Sequence, residues 1–189
     1  SNKTIDPGKA AEQLKQSGDD YDLDAFLAGT LCQNREKIFV DCTASASLSK
    51  QYLRIFEKGY SIVTANKIAN TLDQDYYQFI RDSATENGVH YFYEANVGAG
   101  LPVISTLKNL VNTGDKITKI EGVFSGTLSY LFNTIMPETS FSELVKDAKE
   151  MGYTEPDPRQ DLNGLDVARK LLILARETGV KLELDNIKI

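Results

Sequence analysis

Apolar and polar positions along this chain follow two rhythms, and each predicts its own kind of element. Up to about residue 100, short apolar runs alternate with longer amphipathic segments. The runs "KIFVDCT" (37–43), "YSIVTAN" (60–66) and "VHYFYEAN" (89–96) are bounded by charge, Gly, Thr, Ser or Asn, and they predict three strands. Between them, 47–59 and 71–88 are amphipathic and close on Gly59 and Gly88, which predicts two helices. Residues 8–17 and 22–33 read as helices too, the second with Leu23, Phe26, Leu27 and Leu31 on one face. Strand alternating with helix is the pattern of a parallel sheet in a βαβ fold. Near-continuous apolar strands predict a sheet covered on both faces.

After Gly100 the rhythm changes. Residues 102–114 open on a proline at a first helical position and close on a glycine. Residues 115–124 ("DKITKIEGVF") predict a strand, and 125–136 a short helix. Residues 140–152 carry a capping box, Ser140 with Glu143, before a closing glycine. A helix follows over 164–178, beginning near Asn163 as N-cap. The chain therefore divides into 1–101, an α/β sheet domain, and 102–189, an α+β domain.

Composition narrows the partners. The 189 residues are 41% hydrophobic and 25% charged, with formal net charge −6 and no long basic run, which argues against nucleic acid. No apolar stretch reaches the roughly 20 residues of a membrane helix, and no signal peptide is visible. Cys32, Cys42 and the single histidine, His90, form no zinc pattern. Two reduced, buried thiols in a cytoplasmic protein are the expectation, with His90 a core or cross-strand residue. The chain opens on Ser-Asn without Met and without a leading strand, which reads as a fragment.

In a parallel α/β sheet the carboxyl ends of the strands share one edge, where ligands bind. That edge should gather Thr43, Ser45, Asn66, Lys67, Glu94 and Asn96, with Lys67 opposite Glu94. Polar strand exits are expected of any such sheet, so the edge alone assigns no function. The turn "NVGAGLP" (96–102) feeds a helix and lets backbone approach a ligand closely. It is not G-x-G-x-x-G, and no dinucleotide fingerprint occurs.

The charged stretch "GYTEPDPRQDLNGLDVARK" (152–170) precedes a strongly apolar run. Its two prolines predict a rigid, irregular loop over 155–160. On a helical wheel the leucines fill one arc, while Asp166 and Lys170 fall on the other side, four residues apart. Taken alone, they are a surface ion pair. Ile173 lies on the same side, however, and the loop is placed to fold over it. A carboxylate–lysine pair in a partly dry pocket is suited to acid/base work.

"TANK" (64–67), "NVGAGLPVI" (96–104), "SGTLSY" (125–130) and above all "GYTEPDPRQDLNGLDVARK" resemble homoserine dehydrogenase through nearly all of 36–180. The wording is similar to the dehydrogenase half of bifunctional aspartokinase–homoserine dehydrogenases. The resemblance implies a partial Rossmann-like sheet followed by a substrate and dimerisation domain. It implies NADP- or NAD-dependent interconversion of aspartate semialdehyde and homoserine, in threonine and methionine synthesis. By position, Lys170 would be the proton donor and acceptor, and Lys67 would sit between cofactor and substrate. Glu155 and Asp166 would hold the substrate, with Asp161 in support, and Thr43 would touch the cofactor. Glu94, Val97, Ala99 and Leu101 would hold a sodium-like cation. The family's glycine-rich first unit is missing from this chain, so residues 1–101 read as an incomplete nucleotide-binding domain, and weak or no turnover is expected of it alone. A fused aspartokinase upstream and a homodimer or larger assembly are implied partners. Two other readings stay open: a different NAD(P)-linked α/β oxidoreductase, and a non-catalytic oligomerisation domain.

Overall fold

The computed structural model describes residues 6–17, 21–28, 36–154 and 157–189. The chain separates into two compact units, Ser1–Lys37 and Ile38–Ile189. The described part of the first holds α1 (Pro7–Ser17) and α2 (Leu23–Ala28). In α2, Leu23 and Leu27 are buried one turn apart, but Phe26 is exposed; Leu31 and Cys32 lie outside the described residues.

The second unit is built on three short strands, β1 (Lys37–Asp41, whose first residue belongs to the other unit), β2 (Tyr60–Thr64) and β3 (Tyr91–Phe92), in the order β1-β2-β3. β2 and β3 are parallel, with Ile62 opposite Tyr91 and Val63 opposite Phe92. The helices α3 (Ala46–Ser49) and α4 (Tyr52–Glu57) connect β1 to β2, and α5 (Gln74–Glu86) connects β2 to β3. The alternation of strand and helix is as the sequence predicts.

Several boundaries differ for local chemical reasons. The helix predicted over 47–59 is broken at Lys50–Gln51. There the Ser49 hydroxyl donates back to the Ser45 carbonyl, competing with the backbone ladder. The helix predicted over 71–88 begins at Gln74, because Asp73 caps it by accepting from the Tyr76 amide. The third strand is only two residues long. Its continuation turns into a single helical turn, Glu94–Asn96, in which the Asn96 side chain accepts from Asn70 and donates to the Thr64 carbonyl.

Among the described residues, one face of the sheet is exposed rather than covered. Burial alternates along β1 and β2, with Phe39, Asp41, Tyr60, Ile62 and Thr64 inside while Ile38, Val40, Val63 and Phe92 are exposed. Continuous apolar runs thus hide an in–out alternation.

Beyond the sheet come α6 (Val103–Asn112), α7 (Gly126–Thr134), α8 (Phe141–Glu150), α9 (Arg159–Leu162) and α10 (Leu165–Glu177). Residues 115–124 form no strand in the structure, since no described strand pairs with them; Ile120 and Phe124 pack on the Tyr93–Ile104–Ile173 core while Val123 is exposed. The capping box at α8 does not form, as the Ser140 hydroxyl bonds the Ser142 hydroxyl instead. The last two residues of the predicted irregular loop, 159 and 160, belong instead to the helical turn Arg159–Leu162. Gly164, at φ 70°, starts α10 one residue later than predicted, and the Asn163 side chain still accepts from the Leu165 amide. Cys42 is exposed, contrary to the buried thiol expected. His90 is exposed as well and stacks on Phe92. Among the described residues no helix is long and apolar enough to cross a membrane.

The C-terminal end of α10 is fastened to the sheet layer. Glu177 accepts from the hydroxyls of Tyr77 and Tyr93 and from the Arg81 guanidinium at 3.1, 2.8 and 3.0 Å. Burial pushes both tyrosine hydroxyls well up, so they remain donors. Arg176, buried next door, donates to the carbonyls of Asn70, Leu72 and Leu182. Leu172, Ile173 and Leu174 are fully buried between. This anchoring aims the N-terminal half of α10 at the exits of β1 and β2.

Candidate active site

The exits of β1 and β2 are organised from below by one buried side chain. The Asp41 carboxyl accepts from the Tyr52 hydroxyl at 2.6 Å, the Asn66 amide side chain at 3.1 Å and the Thr43 backbone N–H at 2.8 Å. The Thr64 hydroxyl donates to the Asp41 carbonyl and accepts from the Asn66 backbone. Asn66 also donates to the Ser45 carbonyl. Two loops that would otherwise splay are thus tied together, and Thr43 and Lys67 are held at one rim. Burial, then the hydrogen bond to Asp41, pushes the Tyr52 hydroxyl up, so it stays protonated to donate.

Above this rim, opposite α10, lies a cleft of about 770 Å³. That is within the roughly 300–1,000 Å³ usual for small-ligand sites. Thr43, Lys67, Asp161, Asp166 and Lys170, five of the residues singled out in the sequence, all line it. Asp166 is the bridge. Its Oδ2 lies 2.6 Å from Lys170 Nζ and its Oδ1 lies 3.3 Å from Lys67 Nζ. Burial alone would raise the Asp166 carboxyl, but the hydrogen bond from Lys170 and the charge of Lys67 outweigh it and hold the carboxyl below its ordinary value. Lys170 also donates to the Phe124 carbonyl at 2.7 Å. Lys67 therefore meets Asp166, and not Glu94 as the strand-exit argument predicted.

Thr127, from α7, closes another side. Its hydroxyl lies 2.7 Å from the Tyr153 carbonyl and 3.1 Å from Asp161 Oδ1, tying the 152–161 connection to the cleft. Glu155, predicted to hold the substrate, lies outside the described residues. Of the charges in that connection, Asp157 and Arg159 pair with each other at 2.7 Å on the exposed surface.

The residues predicted for a cation gather elsewhere. The two Glu94 carboxylate oxygens accept from the Ile104 and Ser105 amides at 2.8 and 2.9 Å, capping α6. Gly98 and Ala99, at φ 83° and 51°, both take left-handed backbone, and a Cβ on Gly98 would sit 2.7 Å from Val103 Cγ2. Val97 is buried and Leu101 exposed. Carboxylate and carbonyl oxygens are hard donors suited to a monovalent or alkaline-earth ion, so the donor types fit. Among the described residues no group of three or more His, Cys, Asp or Glu could hold a metal.

Sequence reasoning missed Asp41, Thr127 and Arg169, which also lines the cleft. Asp41 sits at the end of an apolar strand, where an inward carboxyl is the signal. Arg169 stands beside Lys170 in "DVARK".

A parallel sheet whose strand exits open onto a lysine–carboxylate cleft defines an α/β protein of the nucleotide-cofactor class. Comparison with known proteins makes this particular. The profile described as homoserine dehydrogenase matches residues 102–189, and that of its NAD binding domain matches 6–94. The chain belongs to the homoserine dehydrogenase family. It is 49% identical to a bifunctional aspartokinase/homoserine dehydrogenase of Arabidopsis thaliana over 100% of this chain and 21% of that protein. It is 51% identical to a homoserine dehydrogenase of Schizosaccharomyces pombe over 86% of this chain and 45% of that one. A Candida auris protein of unknown function superposes with TM-score 0.80 at 42% identity, covering 94% of this chain and 51% of its own. The chain thus spans less than half the length of either curated relative.

Proposed function

We propose that this chain carries the substrate-side chemistry of homoserine dehydrogenase, the NAD(P)-linked interconversion of L-aspartate 4-semialdehyde and L-homoserine in threonine and methionine synthesis. One observation carries the reading: Asp166 bridges Lys67 and Lys170 in a cleft at the strand exits. When bound, the nicotinamide supplies or accepts the hydride. The rest falls to side chains. An ammonium has three protons. On Lys170 one faces Asp166 and another Phe124, which leaves a third for the substrate oxygen. Lys170 thus protonates the oxygen as the aldehyde is reduced and takes the proton back in reverse. Asp166 keeps Lys170 in place and, with Asp161 and Glu155, meets the substrate ammonium. Lys67 sits between substrate and cofactor, and Thr43 at the β1 exit meets the cofactor; the NAD-binding match over 6–94 supports that side.

In this reading residues 1–101 are the nucleotide half and 102–189 the substrate and dimerisation half. Glu94 with the carbonyls of Val97, Ala99 and Leu101 would hold a sodium-like ion and stiffen the turn before α6. A homodimer, a fused aspartokinase and a cytoplasmic location belong to the same proposal. The fusion is supported by the naming of the Arabidopsis relative, which is itself called chloroplastic. The test is homoserine oxidation by this chain and by a form extended with a glycine-rich phosphate loop. Lys170→Ala should lower kcat by about 10²–10⁴ with cofactor affinity within about twofold. An unchanged rate in the variant would overturn the assignment.

A further inference from the structure

We infer that Arg169 is the anchor for the carboxylate of the amino-acid substrate, and so the residue that makes the cleft select an α-amino acid over a simple amino alcohol or aldehyde. The inference rests on the proposed substrate class and goes beyond it, to which group recognises which end of that substrate.

The charges in the cleft carry the argument. Three cations line it: Lys67, Arg169 and Lys170. Both lysines are committed to the same Asp166 carboxylate, at 3.3 and 2.6 Å, and Lys170 donates to Phe124 besides. Asp161 lies against the Thr127 hydroxyl. Arg169 stands apart from this arrangement. Its Nε is inaccessible to solvent and has no hydrogen-bond partner, and Arg169 enters no ion pair among the described residues. A buried guanidinium N–H without an acceptor costs free energy, and such groups in folded proteins nearly always have a partner. A guanidinium cannot relieve that cost by losing its proton. Arg169 is nonetheless a cation that lines the cleft and enters no ion pair among the described residues, and the partner its planar fork matches there is an anion with two oxygens in a plane, a carboxylate.

Position supports the match. Arg169 precedes Lys170 on α10, about 100° around the helix, so the two point to neighbouring parts of one cavity. In this reading the substrate's reacting oxygen lies at Lys170, its carboxylate at Arg169 and its ammonium on the Asp166 and Asp161 side, all of which line the one cleft. The alternative role for Arg169 is structural, as a side chain that simply fills the wall of the cleft.

Calorimetric titration of this chain with L-homoserine and with 3-amino-1-propanol, which is homoserine without its carboxylate, separates these roles. The wild-type chain should bind homoserine more tightly. Arg169→Met should weaken homoserine binding by about tenfold to hundredfold and leave 3-amino-1-propanol within about twofold. Arg169→Lys, which keeps the charge without the fork, should fall between and guards against a fold defect in the methionine variant. Equal losses for both ligands in both variants would make Arg169 structural and overturn the inference. Unchanged homoserine binding in either variant would overturn it also. If the wild-type chain bound no homoserine, the substrate assignment itself would fall, and the inference with it.

Discussion

Asp166 and Lys170 stand one helical turn apart on α10, and their charged atoms meet at 2.6 Å inside a cleft rather than on an open surface. In isolation such an i,i+4 pair contributes a few tenths of a kcal/mol. Here the second carboxylate oxygen also meets Lys67, from the exit of β2. One carboxylate therefore sets two cations from different parts of the fold. Under the proposed reaction, Asp166→Asn should lower homoserine turnover by the extended form by at least about tenfold, and much more than any neutral change on the exposed side of α10. Steady-state kinetics of the two variants side by side would check this.

The same carboxylate has a predictable pH dependence. Its folded-state value is depressed, so its contribution to stability is fully present above the ordinary carboxylate range and is lost as pH falls through the lower folded value. The Asp166 side chain is 42% exposed, so solvent screening keeps that contribution small. Thermal melts of wild type and Asp166→Asn should differ modestly near neutral pH and draw together as pH falls below the ordinary carboxylate range toward the lower folded value. A difference that grew on acidification would have the wrong sign.

Asp41 has a structural role of a different size. It is fully buried and accepts from Tyr52, Asn66 and the Thr43 amide. Asp41→Ala removes the buried acceptor that three donors share, and should cost about 3 kcal/mol or more in denaturant unfolding. Tyr52→Phe removes one donor and should cost about 1 kcal/mol. A near-neutral Asp41→Ala would mean the two loops are held by something else.

Gly98 is required by conformation and by space. At φ 83°, with Val103 Cγ2 at 2.7 Å from where a Cβ would lie, Gly98→Ala should destabilise by about 1–3 kcal/mol. Adding Val103→Ala removes the collision but not the backbone strain, so the double variant should fall short of the sum of the two single losses. Chemical denaturation of all four species gives the coupling.

The exposed sheet face should associate. Ile38, Val40 and Phe92 are each more than half exposed on one side of the strands. Contiguous apolar surface of that kind favours contact with another surface. Light scattering over a concentration series should show self-association that the double change Val40→Lys, Phe92→Lys reduces, with little change in melting temperature.

Much of the molecule is decided by the order of residues alone. Short apolar runs place three strands, and the period of apolar positions places the helices between them, because a helix that buries one face requires that period. The motif around Lys170 is contiguous, so Asp161, Asp166 and Lys170 were legible as a group. The short third strand was not, because Asn96 bonds to Asn70 and Thr64, which lie 26 and 32 residues away. The strand predicted over 115–124 fails for a related reason: a strand needs a partner, and periodicity cannot supply one. Pairings across the cleft belong wholly to the tertiary structure. Nothing local says that Lys67 reaches Asp166 rather than Glu94, that Asp41 ties Thr43 to Asn66, or that the Arg169 Nε has no hydrogen-bond partner among the described residues. Local sequence determines which groups are available and on which face of an element they stand. Only the packing of α10, fastened at Arg176 and Glu177, decides which charges meet, because Coulomb attraction and hydrogen bonding act over distances of a few ångströms that only the assembled chain defines.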